Sequence, residues 1–377
     1  MPGFELIGKE EHEELNDLML NSSILFRHGF DNLRNGIYKV KEFEKAFAHR
    51  MKTDNALAVT SGTSALLVAL KAFGIGPGDE VITQAFTFVA TVEAIVESGA
   101  KPVIAEIDES LNMAPEDIIN HISSSTKAII VVHMLGVPVD MNKINEIAAK
   151  YNLVVIEDTA WGCGGYLNDK PLGTHSDAGT FSFDFAKTMT TGEGGMVVFK
   201  DEKAFNNAAA YHDHGHENNP DYPRWEDTRT STGFNYRMSE LQGAVGIAQL
   251  KKLDGIVSSQ RSNAQKIVEI LLEKGFELRK KPEGSYETAD AVVFYCDTSQ
   301  IAKEKRNLLL EVGISTKILP EAISWHFAGS WDHIPEIKNF HTSNRFSKSH
   351  EILSRAVAIP IFVNMSDEFF IKLKQVL

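Results

Sequence analysis

The sequence has little of what marks several classes of protein. Only two cysteines occur among 377 residues, Cys163 and Cys296, and they stand far apart and in no metal-binding spacing. This usage provides no disulfide framework and suits a reducing compartment. The sequence contains no run of about 20 apolar residues, which a membrane-spanning helix requires, and its polar, acidic N-terminal segment does not resemble a signal peptide. We therefore expect a cytoplasmic protein.

Basic charge is also scarce. The 38 lysine and arginine residues are outnumbered by 51 aspartates and glutamates, which leaves a formal net charge of -13. The sequence also contains no basic run that would form a positive face. Nucleic acids and anionic membranes bind such faces, so the composition argues against both as partners. Any basic group that meets an anionic ligand must be a local one.

The first two thirds of the chain alternate strand and helix patterns. Seven short apolar runs predict β-strands, at residues 56–60, 80–84, 101–107, 127–134, 153–158, 178–183 and 195–199. Helical patterns lie between them, at residues 64–74, 89–99, 115–122 and 141–152. This alternation predicts an α/β fold with a mostly parallel sheet covered by helices. Ligands of such sheets bind at the carboxyl ends of the strands.

The remaining third follows a different pattern. Residues 238–275 read as one long helix, followed by a strand within 286–297 and helices near 303–313 and 367–377. A chain of this length exceeds the size at which a single core stops growing. We therefore predict a large domain over residues 1–250, including an N-terminal arm, and a smaller C-terminal α+β domain over residues 251–377. The cleft between two domains is a usual place for a site.

Chemistry-bearing residues follow several of the predicted strands. In TSGTSALLVAL (60–70) a glycine-containing turn places the backbone N–H groups of Thr63 and Ser64 at a helix start, which is either an anion site or an ordinary N-cap. Asp158 closes a central strand, where a buried carboxylate needs a cationic partner. Ser182 ends another strand, and Lys187 follows five residues later. These groups should meet at one edge of the sheet.

Lys187, within FSFDFAKTMTTGEGG (181–195), has three possible interpretations. It could be a solvated lysine at a strand end, a phosphate ligand or a lysine that forms a Schiff base. Pyridoxal 5′-phosphate requires neutral donors for its phosphate, a carboxylate for its pyridinium nitrogen and a lysine amine for its aldehyde. The combined pattern favours this cofactor, with Lys187 as the covalent lysine and TTGEGG as a structural turn.

Five motifs in a fixed order then carry a family resemblance. They are GTSAL (62–66), GDEVITQAFTFVATVEAI (78–95), VVIEDTA (154–160), FSFDFAKTMTTGEGG (181–195) and GFNYRMSELQGAVGIAQL (233–250). They resemble the DegT/StrS family of pyridoxal-phosphate-dependent sugar aminotransferases over nearly the whole chain. The resemblance implies a fold-type I aminotransferase and a homodimer whose active sites are built from both subunits. It also implies L-glutamate as amino donor, a keto or aldehyde sugar as acceptor, and pyridoxamine 5′-phosphate between the half-reactions.

The resemblance also implies roles for individual residues. Lys187 matches the covalent lysine, Asp158 the partner of the pyridine nitrogen, and Phe88 the aromatic residue on the cofactor ring. The matches to phosphate contacts are Thr63, Ser64, Ser182 and, across the dimer interface, Asn235. Lys187 also separates this chain from the sugar 3-dehydratase branch, which has histidine there.

One position departs from the family pattern. Trp161 stands where the family usually has glutamine or histidine, three residues after the aspartate. An indole can pack against the cofactor ring, but it cannot repeat the hydrogen bonds of an amide. Trp161 is therefore a predicted cofactor contact whose role the resemblance does not define.

Three segments bear on the sugar. Residues 26–36, 211–217 and 322–338 resemble members that aminate carbon 8 of a 3-deoxy-octulosonic acid, giving 8-amino-3,8-dideoxy-D-manno-octulosonate for lipopolysaccharide. The candidates for binding the anionic sugar are then Arg27, Arg34, His214, His216, Arg237 and His326.

Alternatives remain for the substrate and for these segments. A nucleotide-linked 4-keto or 3-keto deoxysugar is the main rival acceptor. Residues 26–36 could equally form a structural loop at a dimer contact, and the histidines of 212–216 could hold zinc, although the resemblance gives a metal no role. A pyridoxal-phosphate-binding regulator is disfavoured by the acidic charge and by the lack of room for a helix-turn-helix module before residue 39.

Overall fold

The computed structural model describes residues 2–219, 221–338 and 346–377. Its helices are α1 (Pro2–Glu5), α2 (Lys9–Asn21), α3 (Lys39–Met51), α4 (Gly62–Ala72), α5 (Val89–Ser98), α6 (Pro115–His121), α7 (Met141–Tyr151), α8 (Glu202–Tyr211), α9 (Glu240–Glu273), α10 (Ser299–Glu311), α11 (Ile323–His326), α12 (Pro335–Lys338), α13 (Ser347–Arg355) and α14 (Asp367–Val376). Its strands are β1 (Asn55–Val59), β2 (Glu80–Gln84), β3 (Lys101–Ala105), β4 (Thr126–Val132), β5 (Val154–Asp158), β6 (Tyr166–Leu167), β7 (Lys170–Pro171), β8 (Ala178–Ser182), β9 (Gly195–Phe199), β10 (Glu277–Leu278), β11 (Ser285–Tyr286), β12 (Ala291–Tyr295) and β13 (Ala356–Pro360).

A seven-stranded sheet forms the centre of the molecule. Its strand order is β1-β9-β8-β5-β4-β2-β3. All neighbours pair in parallel except β9, which runs antiparallel to both β8 and β1. The seven predicted strands are confirmed, each to within two residues at either end. The α/β class and the mostly parallel sheet are confirmed with them.

Helices cover both faces of this sheet because its strands are apolar on both sides. In β1, Leu57 and Val59 pack towards α4 and α8, whereas Ala56 and Ala58 pack towards α3 and α9. This alternation follows from the period of two along a strand. The six strands that run in the same direction place their carboxyl ends at a single edge of the sheet.

The C-terminal part is built on the long helix α9. Ser239 caps its start, and the helix runs for 34 residues without a break across residues 250 and 251, where we predicted a domain boundary. Its second half packs with α10 and α14 against a small antiparallel sheet of order β10-β12-β13. A division into domains at that boundary stays a prediction, since a continuous helix joins the two parts.

A shared core also joins the two parts of the chain. Phe86 and Val132, from the edge of the large sheet, pack in one apolar cluster with Ala291, Phe327 and Leu353. The C-terminal residues thus come to lie over the carboxyl edge of the large sheet.

Within the described ranges, no helix is both long enough and apolar enough to cross a membrane.

Candidate active site

A cavity of about 530 Å³ opens where β5 and β8 end. Asp158 is the last residue of β5 and pairs with Thr180 of β8, two residues before Ser182. The cavity brings together six of the predicted cofactor residues: Thr63, Phe88, Asp158, Trp161, Ser182 and Lys187. Their convergence follows from the topology, because parallel neighbouring strands end at the same edge.

The start of α4 forms one wall of this cavity. Ser61 is its N-cap, and the backbone N–H groups of Gly62 and Thr63 have no acceptor among the described residues. A Cβ added at Gly62 would lie 2.7 Å from Cβ of Ser182, so glycine allows the hydroxyl of Ser182 to approach the helix end. Unpaired N–H groups at the positive end of a helix form an anion site.

Ser64 does not line the cavity. Its hydroxyl donates to the carbonyl oxygen of Ser61 at 2.8 Å and accepts from the Ser61 N–H at 2.9 Å, while its own N–H donates to Ser61 Oγ at 3.1 Å. These bonds make a reciprocal cap, which uses the hydroxyl that we expected to reach a phosphate. We therefore leave Ser64 out of the phosphate site, and the N-cap interpretation describes it better.

Asp158 carries a buried carboxylate on the cavity wall. Oδ2 accepts from Thr91 Oγ1 at 2.9 Å, and Oδ1 accepts from the Ala160 N–H at 3.2 Å. Burial raises the pKa of Asp158, and these two hydrogen bonds, together with the charge of Lys187, only partly oppose that effect. A carboxylate held in this way favours a cationic ligand group beside it.

The backbone around Lys187 is held from several directions. Its N–H donates to Asp184 O at 3.0 Å, and its carbonyl accepts from the Gly3 N–H at 3.0 Å. In the following turn, the Thr190 N–H donates to Gln249 Oε1 of α9 at 3.2 Å, and Thr190 Oγ1 donates to Phe183 O at 3.1 Å. TTGEGG is thus a structural turn that fixes the base of the Lys187 side chain.

The amine of Lys187 lies within the cavity, 3.8 Å from the centroid of the Trp161 ring. Desolvation there lowers the pKa of Lys187, and the negative charge of Asp158 opposes that shift. A lysine whose pKa is lowered has a larger fraction of neutral amine near pH 7, and the neutral amine is the nucleophilic and basic form.

The segment 322–338 contributes to the cavity through Trp325 and His326. The His326 ring lies 5.6 Å from that of Phe88, and its Nδ1 has no hydrogen-bond partner among the described residues. Burial, together with the charges of Lys187 and Lys317, lowers the pKa of His326 to about 4. The imidazole is therefore neutral at pH 7 and can exchange hydrogen bonds with a hydroxyl group, but it is not a cation for a carboxylate.

Arg27 and Arg34 are not brought to the cavity. Arg27 pairs with Glu44 at 2.7 Å. Arg34 is fully buried, pairs with Glu240 at 3.3 Å and donates to Gly29 O at 2.5 Å. Since a buried guanidinium must keep such partners, both arginines serve to fasten the 26–36 loop. We therefore leave them out of the sugar site, and the structural-loop interpretation describes this segment better.

The histidine-rich segment also lies outside the cavity. His214 is exposed, and the buried ring of His216 contacts Asp227 through Nδ1 at 3.0 Å and Arg229 through Nε2 at 3.1 Å. In the described parts of the chain, no group of three histidine, cysteine or acidic side chains could hold a metal ion. The partners of His216 fold its loop, and neither histidine lines the cavity of its own chain, so a substrate role for them stays a prediction.

Asn235, at the surface, and the largely buried Arg237 lie beside this loop. Asn235 is exposed, and its Oδ1 accepts from the Arg237 N–H at 3.3 Å. The guanidinium of Arg237 pairs with the buried Asp213, which also binds Arg224 at 2.6 Å. Neither residue contacts the cavity of its own chain, so a role across a dimer interface stays a prediction.

Two residues beside the cavity were not anticipated. Thr91 binds Asp158, and its place three residues after Phe88 was a weak signal for a hydroxyl on the same face of the helix. Lys317 lies 5.0 Å from the centroid of the Trp161 ring. Nothing in its local sequence distinguished it from a solvated lysine.

Known proteins provide an independent comparison. The sequence profile of the DegT/DnrJ/EryC1/StrS aminotransferase family matches residues 28–376. The chain is 37% identical over 279 residues to the GDP-perosamine synthase of Escherichia coli O157:H7, covering 74% of this chain and 75% of that protein. It is 32% identical over 331 residues to the GDP-perosamine synthase of Vibrio cholerae, covering 87% of each. Among solved structures, an aminotransferase from Psychrobacter cryohalolentis aligns with a TM-score of 0.86 and 27% identity, over 98% of this chain and 96% of that one.

Proposed function

The chain belongs to the DegT/DnrJ/EryC1/StrS aminotransferase family, and from this premise we propose that it binds pyridoxal 5′-phosphate in the cavity and transfers an amino group from L-glutamate to a keto or aldehyde sugar. The family is pyridoxal-phosphate-dependent, and the sugar aminotransferase activity follows from it. The observation that carries the proposal for this chain is the convergence of Lys187, Asp158 and the open start of α4 on one cavity.

The groups around the cavity fit this cofactor. The N–H groups of Gly62 and Thr63, together with the Ser182 hydroxyl, form a neutral cradle suited to a phosphate. Asp158 offers a buried negative charge, which is otherwise costly and is offset by a protonated pyridine nitrogen. Among the described lining residues, Lys187 is the single lysine or arginine, so it is the available amine.

The roles of the side chains follow from their positions. When bound, the cofactor supplies an electron sink for the carbon that loses its proton. Lys187 would hold the cofactor through its Nζ, and the same amine, once free, would move a proton at the α-carbon of the amino donor. Asp158 would keep the pyridine nitrogen protonated, and Phe88 would lie on the cofactor ring.

The finer part of the proposal concerns the sugar. An 8-oxo-3-deoxy-octulosonic acid, giving 8-amino-3,8-dideoxy-D-manno-octulosonate, is supported by the resemblance of three segments, one of which places Trp325 and His326 in the cavity wall. The second candidate is a nucleotide-linked keto deoxysugar. It is favoured by the names of the two relatives, which are GDP-perosamine synthases.

We include a cytoplasmic homodimer with shared active sites in this proposal. Asn235 of one subunit would reach the phosphate site of its partner, which is compatible with its exposed position. Large apolar side chains are also exposed on α2, on the 26–36 loop and on the segment 225–234: Leu20, Phe30, Leu33, Trp225 and Phe234. An exposed apolar surface of this kind is typical of a subunit contact.

A panel of acceptors distinguishes the two sugars. The purified enzyme, first aminated with excess L-glutamate and then separated from it, should recover its visible cofactor absorbance when a true acceptor is added. We expect recovery with the octulosonic acid aldehyde and formation of its 8-amino product, measured by mass spectrometry. Recovery with GDP-linked keto sugars alone would reject the octulosonate proposal in favour of the second candidate. Recovery with neither class, in a protein that reacts with glutamate, would reject both.

The phosphate cradle can be tested at Gly62. Gly62→Ala places a Cβ against Ser182, and this overpacking should weaken pyridoxal phosphate binding about ten-fold or more. Gly255→Ala is the matched control, because a Cβ there meets no atom within 4 Å. Equilibrium binding by absorbance titration checks the affinity of each variant. Equal affinity in Gly62→Ala and the wild type would contradict the assignment of the cradle.

A further inference from the structure

The Trp161 ring has two ammonium groups close to it. Nζ of Lys187 lies 3.8 Å from the ring centroid, and Nζ of Lys317 lies 5.0 Å from it. The Trp161 backbone is fixed by the Thr288 hydroxyl, which donates to its carbonyl at 2.9 Å. Both the cavity lysine and a second lysine, from the C-terminal part, therefore lie close to the Trp161 ring.

The Lys187 amine lies against the indole face of Trp161. Among the described residues, Nζ of Lys187 has neither a hydrogen-bond acceptor nor a carboxylate within ion-pair distance. A desolvated ammonium without such partners is unstable, and the negative face of an indole is the best aromatic compensation for it. A glutamine or histidine at position 161 would offer hydrogen bonds and no comparable π-surface.

Lys317 places a second ammonium group near the same ring. Its amine pairs with Asp290 at 2.5 Å, so its position is held by a buried carboxylate. A cation near Lys187 disfavours the protonated amine, whereas the ring contact favours it. The charged or titratable groups that act on Lys187 are Asp158, Asp184, Asp290, Lys317 and His326.

We propose that Trp161 is a positioning residue for Lys187: its indole face holds the Lys187 amine whenever that amine is not bound covalently, and the charge of Lys317 limits how strongly the ring holds it. This inference rests on the proposed function, because the contact is useful only if Lys187 alternates between covalent and free forms, as an aminotransferase lysine does. The chemistry of the contact itself involves only this chain's own side chains.

The first test measures the free amine in full-length protein prepared without cofactor. The pH dependence of Lys187 modification by an amine-reactive reagent, followed by mass spectrometry of its peptide, gives the pKa of that amine. Trp161→Leu keeps an apolar side chain without a π-face and should reduce the proton affinity of Lys187 about three-fold or more. Trp161→Phe retains an aromatic face, so the proton affinity of Lys187 should stay closer to the wild-type value in this variant. Equal reductions in both variants, or no change in Trp161→Leu, would overturn the proposal.

The second test concerns Lys317. Lys317→Met should raise the proton affinity of Lys187 about three-fold, because it removes a cation and leaves Asp290 unneutralised, whereas Lys317→Arg should restore the wild-type value. Thermal unfolding of each variant shows whether it is folded before labelling. A Met variant in which the proton affinity of Lys187 does not change, or an Arg variant that does not restore the wild-type value, would overturn the role of Lys317. If pyridoxal phosphate fails to attach to Lys187 in the wild type, the proposed function fails, and the labelling result still decides the ring contact.

Discussion

Lys187→Ala should abolish turnover, with a fall of about 10³-fold or more in the rate of amino transfer from L-glutamate. The cavity holds no second lysine or arginine among its described lining residues, so no other amine can replace Nζ of Lys187 as covalent partner or as base. The visible absorbance of covalently bound pyridoxal phosphate should disappear in the same variant. Stopped-flow absorbance with L-glutamate measures both effects.

A matched lysine separates this effect from a general loss of charge. Lys200→Ala changes an exposed lysine directly after β9 and should leave absorbance and turnover at wild-type values. Lys187→Arg should resemble the alanine variant, since a guanidinium keeps the charge but does not condense with the aldehyde. Turnover of Lys187→Ala at the wild-type rate would show that the assignment of this lysine is wrong.

Asp158→Asn should lower turnover by about 10²- to 10³-fold while keeping the shape of the site, because it removes the buried charge that keeps the pyridine nitrogen protonated. The amide can still accept from the Ala160 N–H and can donate to the Thr91 hydroxyl, which lies 2.8 Å from that of Thr87. Steady-state kinetics with L-glutamate measure the loss. Wild-type turnover in Asp158→Asn would contradict the role of the carboxylate.

The same variant should increase the stability of the protein without cofactor. Burial raises the pKa of Asp158, so the folded state keeps the proton that the unfolded state releases. The folded state therefore loses stability as the pH rises past the ordinary aspartate pKa of about 4. Asparagine carries no such charge, so the free energy of unfolding at pH 7, measured by denaturant titration, should be higher in Asp158→Asn.

Glu157 is the control on the neighbouring position of β5. Its carboxylate is fully buried, 3.1 Å from His133 Nε2 and 2.8 Å from the Gly173 N–H, and it does not line the cavity. Glu157→Gln should lower the free energy of unfolding by about 1–3 kcal/mol and leave turnover largely unchanged. A large loss of turnover in Glu157→Gln, together with wild-type turnover in Asp158→Asn, would contradict the roles assigned to these adjacent carboxylates.

Much of the fold was predictable from the sequence because its signals are local. Apolar runs of strand length and the helices between them required a parallel α/β sheet, and the predicted α9 agrees with the structure to within two residues at each end. The gathering of Asp158, Ser182 and Lys187 followed without coordinates, since parallel strands end at one edge.

The failures concern polar groups whose partners are distant in sequence. Arg34 resembled a ligand for an anionic sugar, but its partner Glu240 stands 206 positions away and buries its charge. Ser64 shows the same problem at short range, because a hydroxyl at a helix start can face a ligand or its own cap, and only side-chain geometry distinguishes these.

The sequence by itself determined the class of chemistry, since a lysine, a carboxylate and a helix start converge when they follow parallel strands of one sheet. Only the tertiary structure decided which charges are available to a ligand and which are already paired. It also placed Lys317 beside Trp161, although the two are far apart along the chain. The physical reason is that burial obliges each charge to find a partner, and long-range packing, which no local pattern records, selects that partner.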